Sequence, residues 1–408
     1  MQHPQQPIRG SEKRFLQMLG FQFDPFQHLE ASADSHLVDY MVGHEVFAAA
    51  WDATPSLIFA PPGGGKTAMR LYTERACWSS FGPRHPFPIL HQPALGDMDE
   101  QEFPLEEHCR RLAQSAARSL LLGLAIQPER LLDCSPHERR RVGNVLAALP
   151  RHVTHYANTL RATGDVTALV QRLGRTAWFG APVRLAPEKL DAFCTALSAV
   201  DSVTQSLPGD GCQQLVEIGG VLIDVLGYRC VYLLIDGIDA LPESAQTPAA
   251  GARWLHSLLA AAEGLAARQF FVKGFLPSGY EGILNSSRNG HRTLFAQTSL
   301  SWSPELLAEL IRRRVAVASG GAFGSLDAIS SPALRDVETL ISKRVPSLPR
   351  EAIVFVGELL RRAAQDAGDS GISLEPEHLE ATAAWYQAEG SRLGMHWAAP
   401  TPVPPAKN

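Results

Sequence analysis

The chain has 408 residues, 45% hydrophobic and 19% charged, with a formal net charge of -5. That length accommodates a large α/β core and a smaller second domain, and a pI near 6.3 gives no bulk attraction to nucleic acid or anionic membrane. No apolar run approaches the ~18 residues of a membrane span, and Met1 to Gly10 lacks an apolar signal core.

The six cysteines (Cys77, Cys109, Cys134, Cys194, Cys212, Cys230) show neither a Cys-x-x-Cys pair nor zinc spacing. Buried, reduced thiols in a cytoplasmic protein are expected. The ends, residues 1–13 and 396–408, are polar and proline-containing and read as disordered tails. Between them the first feature is the aromatic stretch Phe21-Gln22-Phe23-Asp24-Pro25-Phe26, expected to serve core packing.

Short continuous apolar runs then mark buried strands at Ser56–Phe59, Pro88–Leu90, Val231–Ile235 and Phe270–Val272. Helical patterns lie between them at Thr67–Trp78, Leu105–Leu124, Pro136–Leu149, Pro187–Gln205, Cys212–Val225 and Pro248–Ala267. Strands alternating with helices predict an α/β fold with a parallel sheet. The stretch from about 92 to 227 reads as a helical insertion into a core spanning 14–300. From Pro304 the pattern is helical (Pro304–Val317, Ser331–Lys343, Arg350–Ala367, Glu375–Ala388), which predicts an all-helical domain over 301–395.

One segment carries chemistry on its face. Ala60-Pro61-Pro62-Gly63-Gly64-Gly65-Lys66-Thr67 follows an apolar strand and opens a helix, as a phosphate-binding loop must. Glycines let backbone N–H groups converge on phosphate oxygens, and the helix N-terminus adds partial positive charge. Pro62, Gly63, Gly64, Gly65, Lys66, Thr67 and Ala68 are therefore the candidate nucleotide-binding residues. Lys66 would neutralise β/γ oxygens and Thr67 would ligate magnesium. Ala60 takes the place of the first glycine, where a small side chain suffices.

The run Val231–Ile235 ends in Asp236-Gly237-Ile238-Asp239. A carboxylate at the C-terminal end of a buried strand faces the crevice where open α/β sheets bind ligands. Asp236 is the candidate magnesium partner of Thr67. Asp239 is the nearest carboxylate able to orient an attacking water, and its alternative role is that of a turn cap.

These pieces resemble the STAND and origin-recognition branch of AAA+ P-loop ATPases. Upstream, Val42-Gly43-His44-Glu45 resembles the Val-Gly-Arg-Glu element that packs on adenine, with His44 in place of Arg. Asp236-Gly237-Ile238-Asp239 is closer to the STAND Asp-x-x-Asp form than to Asp-Glu. Leu300–Leu307 with Ile311-Arg312-Arg313-Arg314 resembles the passage into the helical lid, and Leu348-Pro349-Arg350-Glu351 resembles the lid helix bearing the sensor 2 arginine.

The resemblance implies strand order 5-1-4-3-2, ATP and Mg2+ as ligands, a lid whose Arg350 reaches the γ-phosphate, and Val42 and Gly43 at the adenine, whose pocket the stretch Phe21–Phe26 would brace in the alternative to core packing. It places sensor 1 at the end of Phe270–Lys273, where Lys273 stands for the usual Asn. One of Arg312 to Arg314 would serve as a finger on a neighbouring subunit or as part of a solvated face. The function implied is a slow ATPase switch that self-associates or binds a partner protein, of a kind used in bacterial signalling and defence. The alternative is a nucleic-acid-dependent AAA+ ATPase. A small-molecule kinase would need an acceptor-positioning base that does not stand out, and a GTPase would need Asn-Lys-x-Asp, which is absent from the sequence.

Overall fold

A computed structural model describes residues 15–79, 85–98, 102–173, 185–201, 207, 209–241, 244, 247–286, 294–366 and 373–390. The expected tails at 1–13 and 396–408 lie outside the described residues. The chain divides into two compact units: Glu45–Ala60 with Lys66–Ser299, and Met1–His44 with Pro61–Gly65 and Leu300–Asn408. No helix among the described residues is long and apolar enough to cross a membrane.

The larger unit is built on one five-stranded, all-parallel sheet: β1 (Ser56–Ala60), β2 (Phe87–His91), β3 (Val231–Ile235), β4 (Phe270–Pro277) and β5 (Ala296–Ser299). Strand order is β2-β3-β4-β1-β5, which read from the β5 edge runs 5-1-4-3-2. β1, β3 and β4 are buried along their whole length, as expected of central parallel strands covered on both faces.

β5 is the strand that the apolar-run criterion passes over. Its sequence Ala-Gln-Thr-Ser is polar, and it occupies a sheet edge with its residues exposed or half-buried. β4 also exceeds expectation, continuing past Val272 through Lys273 and Gly274 to Pro277.

Helices α1 (Val46–Trp51) and α2 (Lys66–Ser79) flank β1. The described residues between β2 and β3 are organised as α3 (Leu105–Ile126), α4 (Glu129–Leu132), α5 (Pro136–Leu146), α6 (Val153–Thr163), α7 (Thr167–Arg172), α8 (Pro187–Asp201) and α9 (Gly211–Gly220). This is the helical insertion. It shares one hydrophobic core with the sheet: Leu112, Leu120, Leu146, Leu160, Phe193 and Ile218 cluster with Leu57, Ile89 and Leu233. Burying so continuous an apolar surface makes the insertion part of this unit's core. α10 (Pro248–Ala260), α11 (Ala262–Ala266) and α12 (Tyr280–Ser286) complete the unit.

The second unit packs α13 (Pro304–Ala318), α14 (Val337–Ser342), α15 (Pro349–Asp366) and α16 (Pro376–Trp385) around its own core. Ser303 caps α13 by accepting from the Leu306 N–H at 3.2 Å. The sequence places residues 14–44 with the sheet. In the structure Phe15, Leu16, Leu19, Phe21, Phe26 and Val42 are instead buried with Leu307, Phe355 and Leu359. The aromatic stretch is core packing, within the helical unit.

Arg314 is locked in that unit. Its guanidinium pairs with Asp34 at 3.3 Å, donates to the Pro25 carbonyl and lies 4.3 Å from the Tyr40 ring centroid. At 3% exposure it is a structural cation, which removes it as an arginine finger. Arg313, by contrast, is exposed and donates to Glu309 at 2.7 Å and to the Met41 carbonyl at 2.6 Å.

Candidate functional site

The chain leaves β1 at Ala60 and enters α2 at Lys66. Two glycines of the intervening loop have left-handed backbones, Gly63 with φ 78° and Gly65 with φ 97°. A side chain at either position would be strained. The Gly64 N–H donates to the Pro61 carbonyl at 2.9 Å, closing the turn.

In the larger unit, Lys66 and Thr67 open α2, and Asp236 follows the last residue of β3. β3 and β1 are not neighbours, since β4 runs between them. Even so, the Thr67 hydroxyl donates to Asp236 Oδ1 at 3.3 Å. The other carboxylate oxygen, Oδ2, accepts from Arg70 Nε at 3.2 Å, and Arg70 in turn holds Glu74 at 2.8 Å. Arg70, Glu74 and Asp236 are all buried. The sequence signal for this cation was available in principle: Arg70 lies one helical turn beyond Lys66 and Thr67, on the same face of α2.

Lys66 is 6% exposed. Its ammonium donates to the Ala60 carbonyl at 3.2 Å and pairs with Asp239 Oδ2 at 3.0 Å. Asp239 thus stands as the counter-ion of the loop lysine. It reaches that place through Gly237, whose φ of 79° turns the chain sharply after Asp236, followed by the 3-10 turn Ile238–Ala240. The turn explains the residue type directly after Asp236. A left-handed backbone accepts glycine readily and glutamate only with strain.

Two further groups lie at the C-terminal sheet edge of this unit. Ser278, just past β4, donates its N–H to the Ala60 carbonyl at 3.1 Å and is exposed. It escaped the sequence reading because β4 is longer than its apolar run. The Asp236 N–H reaches the His91 carbonyl at 3.4 Å. His91 Nε2 lies 2.7 Å from His108 Nδ1, and His108 Nε2 lies 2.7 Å from the Trp254 carbonyl. A carbonyl only accepts, so His108 carries its proton on Nε2 and accepts from His91 through Nδ1. Burial lowers both imidazoles, His108 to about 4, so the pair is a neutral structural bridge.

Lys273 is a correction to the sensor 1 expectation. It pairs in register with Ser56, the first residue of β1, at the end of the sheet opposite Ala60. Its ammonium is fully buried and donates to the carbonyls of Ala49 (2.9 Å), Asp52 (2.6 Å) and Thr54 (2.8 Å), 5.0 Å from the Tyr232 ring centroid. Burial lowers its pKa to about 7. It ties down the connection from α1 to β1.

In the helical unit, Arg350 lies on the loop segment that belongs to the same unit. Its N–H is 3.4 Å from the Gly63 carbonyl, and its Cβ lies 3.0 Å from where a Gly63 Cβ would stand. The Trp302 indole N–H donates to the Gly64 carbonyl at 2.9 Å, and its ring flanks Gly65. His44 donates to the Ser301 carbonyl at 2.8 Å, with its ring 5.9 Å from that of Trp302. Val42 is buried in the unit's core, whereas Gly43 is exposed. Trp302 was not singled out from sequence, where it reads only as an aromatic near a helix start.

Comparison of the chain with protein-family models, curated proteins and solved structures finds no match in any of the three.

Proposed function

We propose that this protein is an ATP-binding P-loop switch of the AAA+/STAND type, hydrolysing ATP slowly and using the nucleotide state to govern self-association or binding of a partner protein. One observation carries the reading: Lys66, Thr67, Asp236 and Asp239 converge from the ends of β1 and β3, although another strand separates those two.

Each group has a definite part. The loop's backbone N–H groups and the start of α2 receive phosphate oxygens, and Lys66 neutralises them. Thr67 Oγ1 and Asp236 Oδ1 are hard oxygen donors 3.3 Å apart, a pair suited to Mg2+. The ion would neutralise charge on the β- and γ-phosphates. Asp239 holds the Lys66 ammonium. Once phosphate takes that ammonium, the carboxylate is released to accept a proton from water. Gly237 leaves no second carboxylate next to Asp236, which favours slow turnover. Arg350 and Trp302, both against the glycines, support a readout of loop occupancy by the helical unit.

The test is ATP binding by titration calorimetry with Mg2+, on the full chain and on Lys66→Ala. Loss of a charge-assisted contact worth about 1.5–3 kcal/mol predicts roughly 10- to 100-fold weaker binding. Unchanged ATP affinity in the variant sinks the proposal. Gel filtration with ATP and with a non-hydrolysable analogue then checks the switch, since an elution volume and partner binding indifferent to both contradict it.

A further inference from the structure

The insertion returns to the sheet at a point where two helices touch backbone to backbone. α3 begins the segment after β2, and α9 with the π-helical turn Val221–Val225 leads back to β3. A Cβ on Gly211 would lie 2.7 Å from the Arg110 backbone nitrogen and 2.8 Å from the Glu106 carbonyl oxygen. Only glycine permits that approach. It sets Cys212, the next residue, against Cys109 on α3, with the two sulfurs 2.7 Å apart.

The neighbouring carboxylates are already engaged. Glu106 accepts from the N–H groups of Gly211 and Cys212, and Asp210 accepts from Gln213 N–H at 2.8 Å, so both cap the start of α9. The chemistry left at this point is that of two thiols. Cys109 is buried and Cys212 is half-buried, so a small oxidant meets Cys212 first.

We propose that Cys109 and Cys212 are a modification site: a dithiol that a hydroperoxide converts to a disulfide, stapling the neck of the insertion. Hydrogen peroxide oxidises the Cys212 thiol to a sulfenic acid and releases one water. The Cys109 sulfur then displaces that hydroxyl, forming the S–S bond and releasing a second water. In sum two thiols and one peroxide give one disulfide and two waters, and a dithiol, or two equivalents of a monothiol, reduces that disulfide back to the two cysteines while being oxidised to its own disulfide. Burial raises both thiols above the ordinary range, so the pair oxidises more slowly than an open cysteine. The bond closes the loop from 109 to 212 and constrains the unfolded chain, so the oxidised protein unfolds at higher temperature.

The experiment treats the full chain with hydrogen peroxide, blocks residual thiols with iodoacetamide and maps peptides without reduction. The expected result is a linked pair of peptides containing Cys109 and Cys212, lost on dithiothreitol treatment, with a melting temperature several degrees above that of the reduced form. Cys212→Ser should give neither the link nor the temperature rise. Recovery of Cys109 and Cys212 as separately alkylated or over-oxidised residues overturns the proposal, as does a temperature rise that persists in Cys212→Ser. The map of the unaltered protein decides the matter even if the variant folds poorly.

Discussion

Asp239→Asn separates the two parts assigned to this carboxylate. Its Oδ2 lies 3.0 Å from the Lys66 ammonium, with the side chains 6% (Lys66) and 28% (Asp239) exposed. At an effective dielectric near 20 the gross attraction at this range is about 5 kcal/mol. Desolvation removes most of it, leaving a net value of roughly 1.5–3 kcal/mol for a charged hydrogen bond. A phosphate bound as proposed would compete with Asp239 for Lys66. Asparagine keeps the shape and loses the charge, so ATP should bind about 10-fold more tightly, the equivalent of about 1.4 kcal/mol. Removal of the proposed general base should at the same time slow hydrolysis by ~100-fold or more. Calorimetric Kd values and single-turnover ATP hydrolysis, measured on one preparation with Mg2+, give both numbers. Equal or weaker ATP binding refutes the counter-ion argument, and undiminished hydrolysis refutes the base.

Gly237→Ala places a Cβ on a backbone with φ 79°, 3.2 Å from Gln92 Nε2, a flexible side-chain end. Urea unfolding should register a loss of about 1–2 kcal/mol from the left-handed backbone, and an unchanged midpoint would contradict it. Lys273 releases its proton near pH 7 when folded, whereas an unfolded lysine holds it to about 10.4. The unfolded chain therefore binds more protons across that window, so the lysine's burial penalty is lifted as pH rises through it. Lys273→Met abandons three backbone carbonyls and is destabilised at every pH. Wild-type stability minus variant stability should grow from pH 7 to pH 9, by up to about 1.4 kcal/mol per unit, and a flat difference would show that the three carbonyls hold the lysine charged throughout.

The sequence by itself determined the parts whose signal is local. A continuous apolar run makes a buried strand wherever it lies, so β1 and β3 were legible. The loop from Ala60 to Thr67 was legible because glycine spacing and the helix that follows are properties of neighbouring residues. Asp236 could be singled out because it ends such a run. The helical character of the insertion and of the C-terminal segment came from periodicity in the same way.

The tertiary structure alone decided whatever depends on a partner distant in the chain. β5 is polar and is a strand only because β1 offers its open edge. Lys273 looked like a strand-end residue until the length of β4 and its register with Ser56 put it at the far end of the sheet. Arg70 could be placed on the face of α2, but its bond to Asp236 spans 166 residues. Residues 15–44 join the helical unit because their apolar side chains are buried there, a choice that no local pattern encodes. The Lys66–Asp239 pair has the same origin. Both residues were candidates from sequence, yet their opposition at 3.0 Å exists only because the sheet carries the ends of β1 and β3 to one edge. Local sequence sets the conformation a segment prefers, and long-range burial and charge pairing set which segments meet.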